Sequence, residues 1–240
     1  SMRNRTFEYG GEDLTSFFAQ KKNFLSFKFW VMIFDILRFY KNVEKDLAEF
    51  PETTIEDYLN KKSYSKYFKD DHLYPMAASI WSSPLNKIKD FPFQNFVKFF
   101  RNHGLLNLRN RPKWKTVLNG SKNYVTKIIK SSNIIIKLSE GVTKITRKNK
   151  KITLITNKRE YHFDQVILAS HPDQNIEILS DITDYELKYL SKIKYQSNIA
   201  WLHSDESLMP RNKKVWSSWN YISSENDSEV SNLSVTYWMN

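Results

Sequence analysis

Few residues in this chain have the type and spacing that chemistry requires. The chain contains no cysteine, which excludes disulfides, thiolate metal ligands and cysteine nucleophiles. His72 and His203 have no histidine or acidic partner at the spacing of a metal site, so no metal site is predicted. His103 precedes Gly104, where a helix C-terminus favours positive charge, and capping explains it. No catalytic acid or base stands out, so the catalytic residues are unknown.

The stretch FDQVILASHPDQ, residues 163–174, suggests a different kind of site. Its unbroken apolar run predicts a strand buried on both faces, as in the parallel sheet of an α/β domain. The loop that follows begins Ser170-His171-Pro172. His171 is a candidate site residue there, and the alternative is a loop histidine that is merely solvated.

Such a strand often accompanies a glycine-rich phosphate loop. This chain has only five glycines in 240 residues, and none of them forms G-x-G-x-x-G or a P-loop. The five are Gly10, Gly11, Gly104, Gly120 and Gly141. The chain is therefore not expected to cradle a pyrophosphate in either of these ways.

The net charge is strongly positive, at +11. One interpretation is a nucleic-acid or anionic-lipid partner, which an aromatic share of 15% would also suit. The other is a surface of solvated lysines. We favour the second because the charges are scattered, and the densest cluster, RKNKK at 147–151, lies at an expected hairpin turn. A non-enzymatic module that binds anionic lipid or nucleic acid is thus the alternative function, and no nucleic-acid partner is predicted.

The most apolar window is NFLSFKFWVMIFDILRFY, which Lys28, Asp35 and Arg38 interrupt. It is too polar to be a membrane span. Ser26 is placed to cap a helix over 26–42, whose wide Phe and Trp face would suit a membrane surface or a partner. The alternative is burial of that face against a sheet. The predicted location is cytoplasmic, with a peripheral membrane contact as a further option.

The hydrophobic period divides the chain into three parts. Residues 1–118 are predicted to form a helical lobe, 119–175 part of an α/β domain, and 176–240 a helix followed by an antiparallel sheet. The predicted fold class is therefore a mixture of α+β and α/β. The strand candidates are residues 133–138, 141–148, 150–156, 161–170, 197–205, 215–223 and 233–240.

Local capping signals predict three further helix starts. Thr54 with Asp57, and Thr183 with Glu186, resemble capping boxes. Ser121 precedes apolar residues at helical spacing and is expected to cap a third helix.

Aromatic residues in the C-terminal strands are expected to lie on both faces of the sheet, because residues at odd spacing in a strand point to opposite sides. One face would then meet a ligand cavity or a partner, and apolar pockets of this kind bind small molecules. The predicted substrate-pocket residues are Trp81, Trp114, Trp219 and Tyr237.

Several longer motifs carry a family resemblance. They are HLYPMAASIWSSP, FFRNHGLL, RPKWKTVLNGSKNYV, GVTKI, FDQVILASHPDQ, LHSDESLMPRNKKVWSSWNY and VTYWMN. In this order they resemble the superfamily of flavin-dependent amine oxidases and phytoene desaturases, and more narrowly a bacterial branch of predicted NAD/FAD-binding proteins. The resemblance runs from about Arg3 to Asn240.

The resemblance implies a substrate-binding domain, made of the helical lobe and the antiparallel sheet, joined to an incomplete Rossmann-like FAD-binding portion at 119–175. The family's N-terminal G-x-G-x-x-G segment has no counterpart here, so the chain resembles an internal fragment. The isolated chain is therefore expected to hold FAD weakly and to be inactive. The strand at 163–169 would lack neighbours, which predicts self-association through its exposed edge.

The resemblance also implies cofactor contacts. GVTKI matches the segment whose valine backbone meets the adenine, which is Val142 here, and the loop after VILAS matches the segment near the dinucleotide, which gives Ser170, His171 and Pro172. Many amine oxidases of the superfamily carry a lysine where this chain has YQSNIAWLH. That departure leaves desaturation or isomerisation open beside oxidation of a C–H, C–N or C–C bond. The expected substrate is an apolar small molecule, with the flavin as hydride acceptor.

Overall fold

The computed structural model describes residues 2–3, 8–11, 13–107, 115–195, 197–222 and 235–239. The chain is a mixture of helices and small sheets, as predicted. It divides into two compact units, which we call unit 1 (residues 1–114 and 201–240) and unit 2 (residues 115–200).

The inserted unit is longer than the predicted 119–175 segment. The helical residues after 175 belong to unit 2, because Leu179 forms a parallel bridge with Ile145 and the Ser180 amide donates to the Ile145 carbonyl at 3.0 Å. The boundary predicted at 175/176 is therefore placed too early, and the return to unit 1 comes after residue 200.

The helices and strands have the following bounds. The helices are α1 Leu14–Phe17, α2 Phe27–Asn42, α3 Ile55–Lys61, α4 Lys66–Phe68, α5 Tyr74–Trp81, α6 Leu85–Lys89, α7 Phe93–Asn102, α8 Lys122–Ser131, α9 Pro172–Ile178 and α10 Asp184–Leu190. The strands are β1 Met2–Arg3, β2 Glu8–Tyr9, β3 Val142–Lys148, β4 Lys151–Thr156, β5 Glu160–Phe163, β6 Trp219–Ile222 and β7 Val235–Tyr237. Short 3₁₀ turns lie at Lys21–Leu25, Lys45–Ala48, Glu206–Leu208 and Lys213–Val215, and a π-helical turn, Lys69–Leu73, joins α4 to α5.

The core of unit 1 is built largely from aromatic rings. Tyr58 of α3 stacks on Phe93 of α7 with ring centroids 3.9 Å apart, and Phe96 stacks on Phe100 at 4.2 Å. These four side chains are fully buried. Their burial, rather than intrinsic helix propensity, holds the short helices of this unit together.

Helix starts in unit 1 follow the local capping signals. The Ser26 hydroxyl accepts a hydrogen bond from the Phe29 amide, and the Thr54 hydroxyl accepts one from the Asp57 amide. Each bond satisfies an amide that the first helical turn leaves without a partner. The predicted starts of α2 and α3 are confirmed.

The sheet of unit 1 has the strand order β2-β1-β6-β7, with β6 and β7 antiparallel. On one face, Tyr221 of β6 packs into the helical core. On the other, Thr236 of β7 donates to the Leu208 carbonyl at 2.7 Å, and Trp238 meets Trp216 edge-on. The segment around residues 208–216 thus contacts part of the second face, where Trp238 stays half exposed. The expectation that one face meets a cavity or a partner stays a prediction.

Unit 2 contains an antiparallel meander in the order β3-β4-β5. Asn149 and Lys150 form the turn between β3 and β4, both with positive φ, as a two-residue hairpin of type I′ requires. The hairpin predicted with its tip near Asn149 is confirmed. The helix predicted after Ser121 is also present as α8, but Ser121 makes no side-chain capping bond.

Three segments predicted as strands form no ladder among the described residues: 133–137, 165–169 and 197–205. The strand at 163–169 is expected to lack neighbours, whereas the strands predicted at 133–138 and 197–205 are wrong there. Several of their apolar side chains face solvent: Ile135 is 83% exposed, Ile167 is 92% exposed and Leu202 is 99% exposed. Strands are stable only when neighbouring strands complete their hydrogen bonds, and no strand pairs with these segments in the described part of the chain.

Helix length and hydropathy were also compared with what a membrane crossing requires. Among the described residues, no helix combines enough length with enough apolar character to span a bilayer.

Candidate functional site

The candidate site is a cavity of about 360 Å³ within unit 2. Its walls come from β3 and β4, from the irregular segment after β5, and from the α9–α10 region. The aliphatic lining residues are Ile145, Ile152, Val166, Leu168, Leu179 and Leu190, and Tyr185 and Tyr189 add two aromatic rings. A cavity of this size and lining suits the apolar part of a small molecule.

The walls of this cavity are held together by pairing between β3 and the turn after α9. Besides the Ile145–Leu179 bridge, the Thr146 hydroxyl lies 2.8 Å from the Ser180 hydroxyl. On the opposite wall Val166 and Leu168 line the cavity while Ile167 points outward. That alternation is typical of a strand-like chain, although this segment has no ladder partner among the described residues.

The polar edge of the cavity is an arginine between two carboxylates. Arg147 Nη2 donates to Glu186 Oε2 at 2.9 Å, and Arg147 Nε donates to Asp181 Oδ1 at 3.2 Å. Thr183 donates its amide and hydroxyl to the same Glu186 oxygen, completing the predicted capping box of α10. These bonds, above all those from Arg147, lower the pKa of Glu186 to about 2.

The charge balance at this edge excludes one use of the cavity. The single guanidinium faces two carboxylates, so it adds no net positive charge for a phosphate or a second carboxylate. Anion sites in proteins need unpaired donors or uncompensated positive charge. The cavity therefore suits a neutral apolar group and does not suit the pyrophosphate of a dinucleotide.

The predicted adenine contact, Val142, lies elsewhere on the same strand. It is the first residue of β3, opposite Thr156, and the register is irregular between Val142 and Lys144. Its side chain is exposed and does not line the cavity, which begins three residues along β3 at Ile145. The backbone at Val142 is thus at an accessible strand end.

The other predicted cofactor contacts form the entry to α9. The hydroxyl of Ser170 bonds to the Asn175 side chain, whose Nδ2 donates back to the Ser170 carbonyl at 3.2 Å. His171 is the N-cap residue and stacks on Tyr195, with ring centroids 4.1 Å apart, and Pro172 is the first helical residue. None of the three lines the cavity. The loop after VILAS is therefore fixed by local contacts.

The predicted substrate-pocket residues of unit 1 are only partly brought together. Trp219 and Tyr237 are cross-strand partners, and the Tyr237 hydroxyl bonds with the Ser82 hydroxyl just after α5. Trp81, the last residue of α5, is partly buried and packs against Phe91 and other core rings. Trp114 lies outside the described residues.

The sequence signalled one carboxylate of the polar edge but not its ion pair with Arg147. The capping box identified Glu186, because that signal is local. Arg147 was assigned to a cluster of solvated lysines, and its partners lie 34 and 39 residues further along the chain. Only the packing of α10 near β3 could reveal that ion pair.

Comparisons with known proteins and a search for metal ligands add little to this geometry. No family model and no curated protein matches the chain. Within the described ranges, no group of three or more His, Asp or Glu side chains could hold a metal ion. The family resemblance therefore remains a prediction from the motifs.

Proposed function

We propose that this chain is part of an FAD-dependent oxidoreductase related to the amine oxidases and phytoene desaturases. Unit 1 and its sheet form the main part of a substrate-binding domain, and unit 2 forms an incomplete portion of a Rossmann-like FAD domain. The flavin would accept a hydride equivalent from a C–H bond of an apolar small molecule. The protein would supply binding, orientation and exclusion of water.

The observation that carries the proposal is the set of strand-like segments without partners. Residues 133–137 and 165–169 of unit 2 have the composition of buried strands but no ladder among the described residues. Buried strands of a parallel sheet read as continuous apolar runs and need neighbours on both sides. Additional strands would complete the sheet, and in the proposed family such strands carry the phosphate-binding glycine loop.

The accessible positions of unit 2 agree with this arrangement. Val142 lies at an open strand end, and Ser170, His171 and Pro172 lie where the unpaired segment enters α9. Ligands in open α/β sheets bind at the carboxyl ends of the strands, where this loop would lie in a completed sheet. The neutral cavity beside Ile145 would hold an apolar group and leave the phosphates to the added segment.

One motif bears on the type of reaction. The segment YQSNIAWLH lacks the lysine that many amine oxidases of the superfamily carry. Desaturation and isomerisation therefore stay beside amine oxidation as possible reactions. No carboxylate or histidine is assigned as catalytic.

The test is to compare the 240-residue chain with the product of the complete reading frame that encodes it. We expect the complete product to purify with a stoichiometric flavin absorption band and the 240-residue chain to purify with little. A complete product without flavin, and with no flavin binding on reconstitution, would reject the proposal.

A matched pair of variants in the complete product locates the cofactor. Ser170→Asp places a negative charge beside the expected dinucleotide and should lower flavin occupancy by electrostatic repulsion. Asn149→Asp adds the same charge at the exposed hairpin turn of the same unit, away from Val142, and should leave occupancy unchanged. Equal occupancy in both variants would place the flavin away from the loop at 170–172.

A further inference from the structure

The outward face of unit 1 from Lys21 to Lys41 has an unusual composition. Every exposed residue in this segment is either a lysine or a large apolar side chain. The lysines are Lys21, Lys22, Lys28 and Lys41, and the apolar residues are Phe24, Leu25, Phe27, Trp30, Phe34 and Leu37. We call these ten residues the α2 surface.

The α2 surface is the reverse side of a helix that already has a buried face. Phe29, Met32, Ile36 and Phe39 pack into the core, while Phe34 on the opposite side is 66% exposed. The exposed apolar residues of α2 recur at spacings of three and four, so they form one stripe along the helix. Burial in the core therefore accounts for the apolar residues on one face of α2. It does not account for the exposed apolar residues on the other face.

Part of this surface is held in a fixed geometry. Trp30 Nε1 donates to the Phe24 carbonyl at 2.9 Å, and the Phe24 ring stacks on Phe18 at a centroid distance of 4.8 Å. These contacts position the indole and the neighbouring ring before any partner arrives. A surface ordered in advance loses less conformational entropy on binding.

We propose that the α2 surface docks unit 1 on the interface of a membrane that contains anionic lipid. Apolar and aromatic side chains enter the boundary between headgroups and acyl chains, while lysines meet lipid phosphates; this combination is typical of helices that lie in the membrane plane. Each lysine near an anionic surface contributes about fivefold to binding. The proposal is independent of the flavin chemistry proposed for the chain.

Charge complementarity favours a lipid surface over a second copy of the chain. The only acidic residue of the segment, Asp35, is buried and paired with Arg38 at 2.9 Å. Two copies meeting through this surface would bring lysines toward lysines with no exposed carboxylate of the segment to pair them. Anionic headgroups supply the missing negative charge.

The experiment is flotation of the 240-residue chain with vesicles. Vesicles of phosphatidylcholine alone are compared with vesicles of phosphatidylcholine mixed with phosphatidylglycerol, at low and high salt. We expect about tenfold or more stronger binding to the anionic vesicles at low salt. Some binding should persist at high salt, because the apolar side chains still enter the membrane interface.

Two double variants, each with a matched control, distinguish binding through the α2 surface from nonspecific adsorption to vesicles. Phe27→Ser with Phe34→Ser should lower binding to anionic vesicles at least about tenfold, whereas Ile128→Ser with Ile135→Ser removes exposed apolar groups from unit 2 and should leave it within about twofold. Lys21→Glu with Lys22→Glu should also lower binding about tenfold or more. Lys148→Glu with Lys150→Glu, at the hairpin tip, is its control.

Four outcomes would overturn the proposal. They are no binding to either vesicle, equal binding to both, equal losses from the hairpin and α2 charge variants, and a concentration-dependent dimer in sedimentation that Phe27→Ser with Phe34→Ser abolishes without vesicles. The last outcome would assign the α2 surface to a second copy.

Discussion

Units 1 and 2 of the same chain differ in the burial of their apolar residues. The main hydrophobic core lies entirely within unit 1, where fully buried rings hold the 16-residue α2 and several shorter helices together. In the described part of unit 2 only Ile145 and Leu179 are buried among the apolar side chains. Helix α8 shows the contrast well, because its apolar residues Tyr124 and Ile128 are both exposed.

The difference shows that a segment can form regular helices and strands without burying its apolar side chains in a core. Unit 2 has correct local signals, including a type I′ hairpin and a reciprocal capping box, and yet much of its apolar surface remains in water. Local bonds define its elements, but burial supplies most of the stabilising free energy of a domain. If the proposed function holds, the additional strands of the FAD domain would cover this surface.

Truncation of a buried core ring should give the largest loss of stability and tests this comparison directly. Phe96 is fully buried between Phe100 and Trp81, so Phe96→Ala should lower the free energy of unfolding by about 3–5 kcal/mol. All seven tryptophans lie in unit 1, so urea unfolding followed by tryptophan fluorescence measures that unit.

The control for that truncation belongs to unit 2. Ile135→Ala removes an exposed side chain and should change stability by less than about 0.5 kcal/mol, measured by far-ultraviolet circular dichroism. A large cost for Ile135→Ala would mean that unit 2 has a core around residue 135, and the comparison would fail.

A pair of glycines offers the next largest effect. A Cβ at Gly10 would lie 2.8 Å from the Ser16 Cβ and 3.4 Å from the Val215 Cα, so Gly10→Ala should destabilise unit 1 by about 1–3 kcal/mol. A Cβ at Gly141 would meet nothing within 4 Å, so Gly141→Ala in unit 2 should be nearly neutral. Thermal unfolding of both variants decides this, and equal destabilisation would contradict the difference in packing.

A third, smaller effect concerns the ion pair in unit 2. Because the pKa of Glu186 is lowered from 4.5 to about 2, its contribution to stability is complete above pH 4.5 and is lost as the pH falls toward 2. Carbon-13 NMR of the Glu186 carboxyl should record a pKa near 2, rising toward 4.5 in Arg147→Met. An unchanged pKa in that variant would assign the shift to Thr183 alone.

The sequence predicted the features of the fold that depend on neighbouring residues. Ser26, Thr54 and the pair Thr183–Glu186 cap the helices that they were expected to cap, because capping bonds span only three residues. The segment 133–137 was predicted as a strand from composition alone. Whether it pairs depends on chain that is distant in sequence, which composition does not encode.

The candidate site was harder to predict than the fold, for the same reason. The motif residues Val142 and Ser170 are separate from the cavity, whose lining comes from two strands, an irregular segment, the residue after α9 and helix α10. Trp81 packs against rings that are distant in sequence, and its own letter does not encode that contact. In β6 and β7, Trp219 and Tyr237 remain exposed while Tyr221 is buried.

The last double variant should change the stability of the chain least and its self-association most. Ile135→Lys with Ile167→Lys places charges on two exposed strand-like segments of unit 2, and charges on unpaired strands oppose edge-to-edge pairing. We expect the unaltered chain to self-associate in sedimentation velocity experiments and the double variant to be more monomeric. Its unfolding free energy should differ by less than about 0.5 kcal/mol, because both side chains already face water.

A matched change in unit 1 shows which surface drives this association. Phe34→Lys alters another exposed apolar residue, on the α2 surface, and it should leave the sedimentation profile unchanged if the unpaired segments of unit 2 are responsible. A chain that is monomeric without any substitution would contradict the prediction directly. It would mean that unit 2 tolerates exposed strand-like segments without a partner, and the need for additional strands would lose its physical basis.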